Sequence, residues 1–566
     1  MSLQISSKEA EVLLKQKNIL NESVLGKYKL AGQITQTCMK YLISLINNSY
    51  HLQMLKPYTA AELCILGDSF IKSALNNTNG FDVKEKGIAQ PVTIDVNDVL
   101  EGYSPEVDDT TNITFHSGDI VTINLGCQID GYTSRLAHTV VIYPPGLSTD
   151  DNVRLQHTGP LLGDPADGIC ASHIATETII ALLGCALAPE KLPKSILASG
   201  HSNVTGSLIR EIVDSIAESF HCIVVPGSKV RRIRRFLAGQ AEGIVAERDF
   251  KGVVWSEADQ EQVLLKRSTD LEEDTGKQLL LFDKSKKPES TNSHAGTVPS
   301  DDFTVSPGEV YTIDIRMAPI NAMDEPGIVT LEVLDEYTGK NNVEGTLHPK
   351  PSIFLRDVAV TYQLKLKTAR RLLSRVDKLQ PVYPFKLSEV SAHFPLDLSN
   401  MGTLGEQVTN IHDDMKPDRL GLAEMINERL VVPKPIWAVR FIPLKKILKG
   451  TSSTGARGYD AENPTLPGME LPLPKLGISA LQLKSSLKYA KKLPTARELC
   501  TVVLDDTNEE MLRVSGGINS CKPSWVHSNY QLTDVLSHCV SELDALSRDP
   551  RFGIKVHVCE PLQFPN

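Results

Sequence analysis

Apolar residues in the N-terminal part recur at helical spacing. Ile34, Cys38, Leu42 and Leu45 follow one another at steps of four, four and three, so they share one helix face. Thr59-Ala-Ala-Glu62 reads as a capping box opening a second helix, which would bury Leu63, Leu66, Phe70 and Ala74. The period then shortens. Residues 117–143 hold a β-rich run, the hairpin signal Asp130-Gly131, and a second β-rich run. Helical patterns follow around 171–187 and 205–218, and a strand returns at 307–316. Ala369, Leu372, Val376 and Leu379 form the buried stripe of an amphipathic helix. In the C-terminal part, 553–559 is the one strong strand signal. The predicted class is α/β in the α+β sense.

Two of these strands share a template. Residues 117–124 and 307–314 both read Gly, acid, β-branched, any, Thr, Ile, then Asn or Asp. Alternation puts Ile120, Thr122 and Asn124 on one strand face and Val310, Thr312 and Asp314 on the corresponding face of the other. The reading is an internal duplication, two halves each aiming one polar side chain at a shared cleft.

Three segments interrupt the main domain, placed at 20–450. Residues 268–302 are polar, 386–420 are of mixed pattern, and 450–477 are rich in Gly and Pro and read as a long loop. Residues 478–566 read as an extension packed on that domain.

Composition narrows the function. A hydrophobic content of 41% supports a large packed core. The first residues lack the pattern of a signal peptide, and the longest apolar run, 179–188, is half of the ~20 residues a membrane helix needs. A soluble intracellular protein with no membrane partner is expected. Ten cysteines form no C-x-x-C pair and read as small buried hydrophobes. The net charge of −10 leaves no global basic field, so DNA is not expected as a partner and RNA contact has to come from local patches. G-x-S-x-G and H-E-x-x-H are missing, and Ala456-Arg457 break the P-loop spacing of Gly450 and Gly455. No cofactor is expected.

Several stretches, in order, resemble the methionine-aminopeptidase-like, or pita-bread, family: 84–105, the hairpin 117–143, the Gly200-His201-Ser202 turn, 308–314, 351–373 and 421–441. The likeness is greatest to its non-peptidase branch. That branch holds the ErbB-binding or proliferation-associated proteins and the fungal export factors of the large (60S) ribosomal subunit precursor. The resemblance implies two pseudo-symmetric halves with an antiparallel curved sheet covered by helices. It also implies a set of five metal ligands: two aspartates, one histidine and two glutamates. These fall on Asn124, Arg135, His201, Asp314 and the acid-free stretch 438–442, while the family's substrate-facing histidine falls on Gly102. A neutral amide cannot bridge two metals, and a guanidinium repels them. The expectation is a catalytically silent protein without a metal, in which an Arg135–Asp314 bridge balances the cleft. The alternatives are a metallopeptidase using one metal at His201 and Asp314, and a growth-regulatory interaction module without a ribosomal role.

If the cleft is silent, the surface carries the function. Lys229, Arg231, Arg232, Arg234 and Arg235 are five cations in seven residues, read as an RNA-phosphate contact, a solvated basic face or a nuclear-import signal. Lys365 and Lys367, with Arg370 and Arg371, form a second patch. A third, at Lys484, Lys488, Lys491 and Lys492, reads as one face of a short helix. The resemblance implies docking near the nascent-chain exit of large-subunit precursors, contact with ribosomal RNA and tunnel-exit ribosomal proteins, and movement between nucleus and cytoplasm. It extends to Phe-Gly nucleoporins and other export or assembly factors as possible partners.

Overall fold

The computed structural model describes Val12 and residues 15–562, apart from 79–82 (Val83 belongs to the described part), 84, 110–112, 147–158, 199, 237–249, 261–263, 265–300, 324, 336–347, 380–381, 445, 447–482, 484–485, 550 and 552. The segment 450–477, all but the last two residues of 268–302, and Lys484 therefore lie outside the described residues.

Helix α1 (Glu22–Ile46) opens on Asn21, whose side chain accepts from the Val24 amide at 2.9 Å. The predicted stripe is buried along it. Helix α2 (Ala60–Asn77) starts with the expected Thr59/Glu62 capping box. Leu63, Leu66 and Ala74 are buried, whereas Phe70 is half-buried and stacks on Tyr41, ring centroids 5.2 Å apart.

Strands β1 (Lys86–Val96), β3 (Ile120–Ile129) and β4 (Tyr132–Val141) form one antiparallel half of a ten-stranded sheet. Asp130 and Gly131 take the tight turn between β3 and β4 with φ of +55° and +79°, which suits Asp-Gly. This half packs on α1 and α2 in one hydrophobic cluster. After α3 (Asp164–Gly184) and α4 (Gly206–Ser219), short β5 (Cys222–Val224), β6 (Lys229–Ile233) and β7 (Gly252–Val254) join β8 (Val310–Pro319) to build the second half. α3 is apolar enough by composition to cross a membrane, but the apolar window is 78% buried inside the protein, as for a core helix.

The halves meet through β15 (Ala496–Asp505), which lies between β4 and β8 in the path β1-β3-β4-β15-β8-β6-β7. The C-terminal residues thus supply the strand that joins the halves, and β16 (Glu510–Arg513) and β17 (Val556–Val558) continue from it. Helix α7 (Asp534–Arg548) packs on α3. This is the expected pita-bread architecture.

A second sheet holds β2 (Val99–Glu101), β9 (Gly327–Leu334), β13 (Ile436–Pro443) and β14 (Lys491–Lys492). A third holds β10 (Ile353–Arg356), β11 (Phe385–Lys386) and β12 (Val431–Pro433). Beside it, α5 (Lys367–Leu379) buries Ala369, Leu372 and Val376, but Leu379, its last residue, is exposed. The stretch 386–420 runs into α6 (Leu404–Asn427), which packs through Ile411, Met415, Leu422 and Met425. Among the described residues the expected lysine face is not continued on one helix: Lys488 lies in a single 3-10 turn, and Lys491 and Lys492 are strand β14. All ten cysteines are free thiols.

Candidate functional site

The two halves bring Asn124 on β3 and Asp314 on β8 to the centre of the sheet, both with no exposed surface. Asp314 is held from two sides. Its Oδ1 accepts from Arg316 Nε at 3.2 Å and Arg497 Nε at 2.8 Å, and its Oδ2 accepts from Arg316 Nη2 at 2.8 Å and Arg497 Nη2 at 2.9 Å. Arg316 sits two residues beyond Asp314, hence on the same strand face, and Arg497 is its register partner on β15. Each guanidinium presents two parallel N–H groups to the carboxylate, a fork geometry that makes strong charge-assisted bonds. Glu101 at the end of β2 accepts from Arg316 Nη2 at 3.0 Å and stands 3.1 Å from Arg497 Nη1, in ion contact without hydrogen-bond alignment.

Burial would raise both carboxyl groups, but Arg316 and Arg497 hold Asp314 far below the usual carboxylate range, and with Lys434 do the same to Glu101. Both are therefore anions at any ordinary pH. Asp95 behaves oppositely: burial pushes it up to about 7 despite hydrogen bonds from Thr93 Oγ1 and the Tyr103 amide.

The expected Arg135–Asp314 bridge does not form. Arg135 is buried beside the centre, but the forks on Asp314 come from Arg316 and Arg497, and Arg135 Nε has no hydrogen-bond partner. Burial, reinforced by Arg497, pushes Arg135 down to about 10. Arg135 pairs in register with Gly126, and Asn124 with Ala137, so Arg135 and Asn124 are diagonal neighbours on one face of the hairpin. Neither the amide nitrogen nor the oxygen of Asn124 has a partner.

His201 does not join this centre. It lies in the turn before α4, partly exposed, with Nε2 3.6 Å from Glu211. The β6 residue in register with Asp314 is Lys229. Residues 438–442 lie on β13 in the second sheet, so the stretch that was to contain the last glutamate is not the strand between the halves; that strand is β15, where Leu499 pairs with both Asp314 and Ala137. Gly102 has φ +100°, and a Cβ there would come within 2.8 Å of the Pro435 carbonyl oxygen. No side chain, histidine included, fits that crossing without backbone movement. Among the described residues, no group of three or more His, Cys, Asp or Glu gathers where it could hold a metal.

The basic run from Lys229 to Arg235 does not form one surface patch. Residues 229–233 are strand β6, and a strand sends successive side chains to opposite faces. Arg232 is buried and donates to Glu309 at 2.9 Å, so the expectation of RNA contact fails for this residue. Arg235 pairs with Asp130 at 2.5 Å and lies over the Phe236 ring, and Arg231 lies over Phe250 at 4.8 Å. By contrast Lys365, Lys367, Arg370 and Arg371 are exposed around the first turn of α5.

Sequence reasoning missed Arg316, Arg497, Glu101 and Lys434. Arg316 had a local signal, the acid-x-Arg spacing on a predicted strand. The others come from distant segments and had none.

No family model matches the chain. It is 51% identical over 562 residues to the probable metalloprotease ARX1 of Candida albicans, across 99% of this chain and 97% of that protein. It is 48% identical over 593 residues to the probable metalloprotease ARX1 of Saccharomyces cerevisiae, across 100% of this chain and 97% of that one. Among solved structures, that of a thermophilic Arx1 matches with a TM-score of 0.51 at 15% identity, covering 92% of this chain and 98% of the other.

Proposed function

The chain belongs to the ARX1 family, and from that premise we propose that it works as a catalytically inactive aminopeptidase-fold adaptor on precursors of the large ribosomal subunit. In this reading it binds near the polypeptide exit site, assists assembly and nuclear export, and shuttles between nucleus and cytoplasm.

The observation that carries the inactive part is the double arginine fork on Asp314. A two-metal peptidase centre needs anionic ligands clamping two cations about 3.5–4 Å apart. Here the one central aspartate has both oxygens engaged by guanidinium groups, Asn124 is neutral, and Arg135 adds a third fixed positive charge. These residues do not fit divalent cations. The single-metal alternative loses its ligand pair, because His201 contacts Glu211 while Asp314 contacts the arginines.

The partner reading rests on the sequence resemblance and on the exposed cations of α5. Positive side chains around a helix N-terminus oppose the macrodipole, and an RNA phosphate there would offset that repulsion. Phosphate contacts position a protein on RNA without reading bases.

Sedimentation of the tagged protein from cell extract tests the partner reading. It should migrate with large-subunit precursors and be released as salt rises. The double reversal Lys365→Glu and Lys367→Glu should flatten the logarithmic salt dependence by about two ion equivalents. A protein that stays at the top of the gradient at every salt refutes the ribosomal role. Separately, tightly held near-stoichiometric metal in the purified protein would refute the inactive centre.

A further inference from the structure

The charges at the arginine–carboxylate centre do not balance. Arg135, Arg316, Arg497 and Lys434, with Lys229 adding to the field at Lys434, stand against the carboxylates of Asp314 and Glu101 and against Asp95, which burial pushes up to about 7 so that it is only partly ionised at neutral pH. Arg316 and Arg497 already engage Asp314 and Glu101. Arg135 and Lys434 are left over. Lys434 Nζ donates to the neutral Oε1 of Gln90 at 3.0 Å. Burial pushes Lys434 down to about 8, with Glu101 resisting and Arg135, Arg497 and Lys229 adding to the fall.

The polar groups beside them are unsatisfied as well. Arg135, only 8% exposed, keeps an unpartnered Nε, and the wholly buried Asn124 on the same hairpin face keeps an unpartnered amide. Buried donors of this kind are costly to leave unpaired, and the cost is greatest for a charged one. Lys434 and Glu101 are partly exposed, so the centre opens to solvent on their side.

We propose that this cleft is a carboxylate-binding site, in which Arg135 and Lys434 hold the anion and the Asn124 amide donates to it. One bound carboxylate lowers the positive excess and can accept from all three donors, because its two oxygens offer about four acceptor positions. Because Asn124 is wholly buried and Arg135 nearly so, a ligand that reaches both has to be slim: the tip of an acidic side chain or the end of a peptide chain. The site is independent of the ribosomal reading and of the α5 cations.

The test uses the full chain in about 20 mM salt, where screening of a partly exposed site is weak. Saturation-transfer NMR compares four probes: Ac-Gly-Glu-Gly-NH2, Ac-Gly-Gly-Gly with a free C-terminus, the neutral Ac-Gly-Gln-Gly-NH2, and inorganic phosphate. At least one of the two carboxylate peptides should bind; which one does identifies a side-chain or a terminal source. Arg135→Met and Lys434→Met should each weaken that binding by about tenfold or more, the range for losing one charged hydrogen bond. Arg135→Met removes an unpaired buried charge, so its melting temperature should not fall, which separates lost binding from lost folding. Equal binding of the glutamine peptide, preferential binding of phosphate, no binding of either carboxylate, or binding unchanged in both variants would each overturn the proposal.

Discussion

Replacing Arg497 with methionine keeps most of the side chain's length and removes the guanidinium that grips Asp314 and faces Glu101. Two hydrogen bonds, 2.8 and 2.9 Å, and one 3.1 Å ion contact are lost in surroundings where Asp314 and Arg497 are each about 1% exposed. Breaking a buried ion pair by removing one partner costs about 3–5 kcal/mol. The lower end applies, because Arg316 retains the other two bonds to Asp314. A chain of 566 residues that unfolds as one unit has an unfolding entropy of about 1.2 kcal/mol/K, so the melting temperature should fall by roughly 2–3 °C at pH 7. Differential scanning calorimetry measures this directly. The pH dependence adds a second check. Asp314 and Glu101 have depressed folded pKa values, so the stability they confer is fully present above the unfolded carboxyl value of about 4 and is lost as pH falls below it. The gap between wild type and variant should therefore be full at pH 7 and close below about pH 4. A melting temperature unchanged at pH 7, or a gap that widens in acid, would refute the account of an ionised Asp314 held by the arginine forks. So would simple additivity with Asp314→Asn, since residues that share a bond must couple.

Two further outcomes follow from other parts of the molecule. Gly102→Ala should destabilise by about 1–3 kcal/mol, because the position needs φ of +100° and the new Cβ would lie 2.8 Å from the Pro435 carbonyl; thermal unfolding checks it, and an unchanged melting temperature would mean that the β2–β13 crossing yields. His138 is buried, which disfavours its charged form, but Glu498, with contacts of 2.8 and 3.0 Å, outweighs burial and raises its pKa. Its contribution is fully present below about pH 6.5 and is lost as pH rises through the folded value, so Glu498→Gln should remove that part of the decline between pH 6.5 and alkaline pH in a melting-temperature series.

Local chemistry was legible along the chain. The stripe of α1, the Thr59/Glu62 box and the Asp130-Gly131 turn depend on residues three or four apart, or on one backbone conformation, and each appears where its pattern stands. The order of the matching stretches was legible too, and with it the two halves. What could not be read was pairing between distant segments. β15 carries a β-prone run, yet its place follows from partners nearly two hundred residues away on β8 and further still on β4. That pairing brings Arg497 to Asp314 and makes the C-terminal segment the join between the halves. His201 and the basic run show the same limit from the other side. A histidine in a suggestive turn faces Glu211, and a dense cluster of cations becomes a strand whose alternation divides it. Helix caps and hairpin turns are decided by neighbours in sequence, whereas a buried charge is decided by whichever partners the sheet register sets beside it, and that register is a property of the whole folded chain.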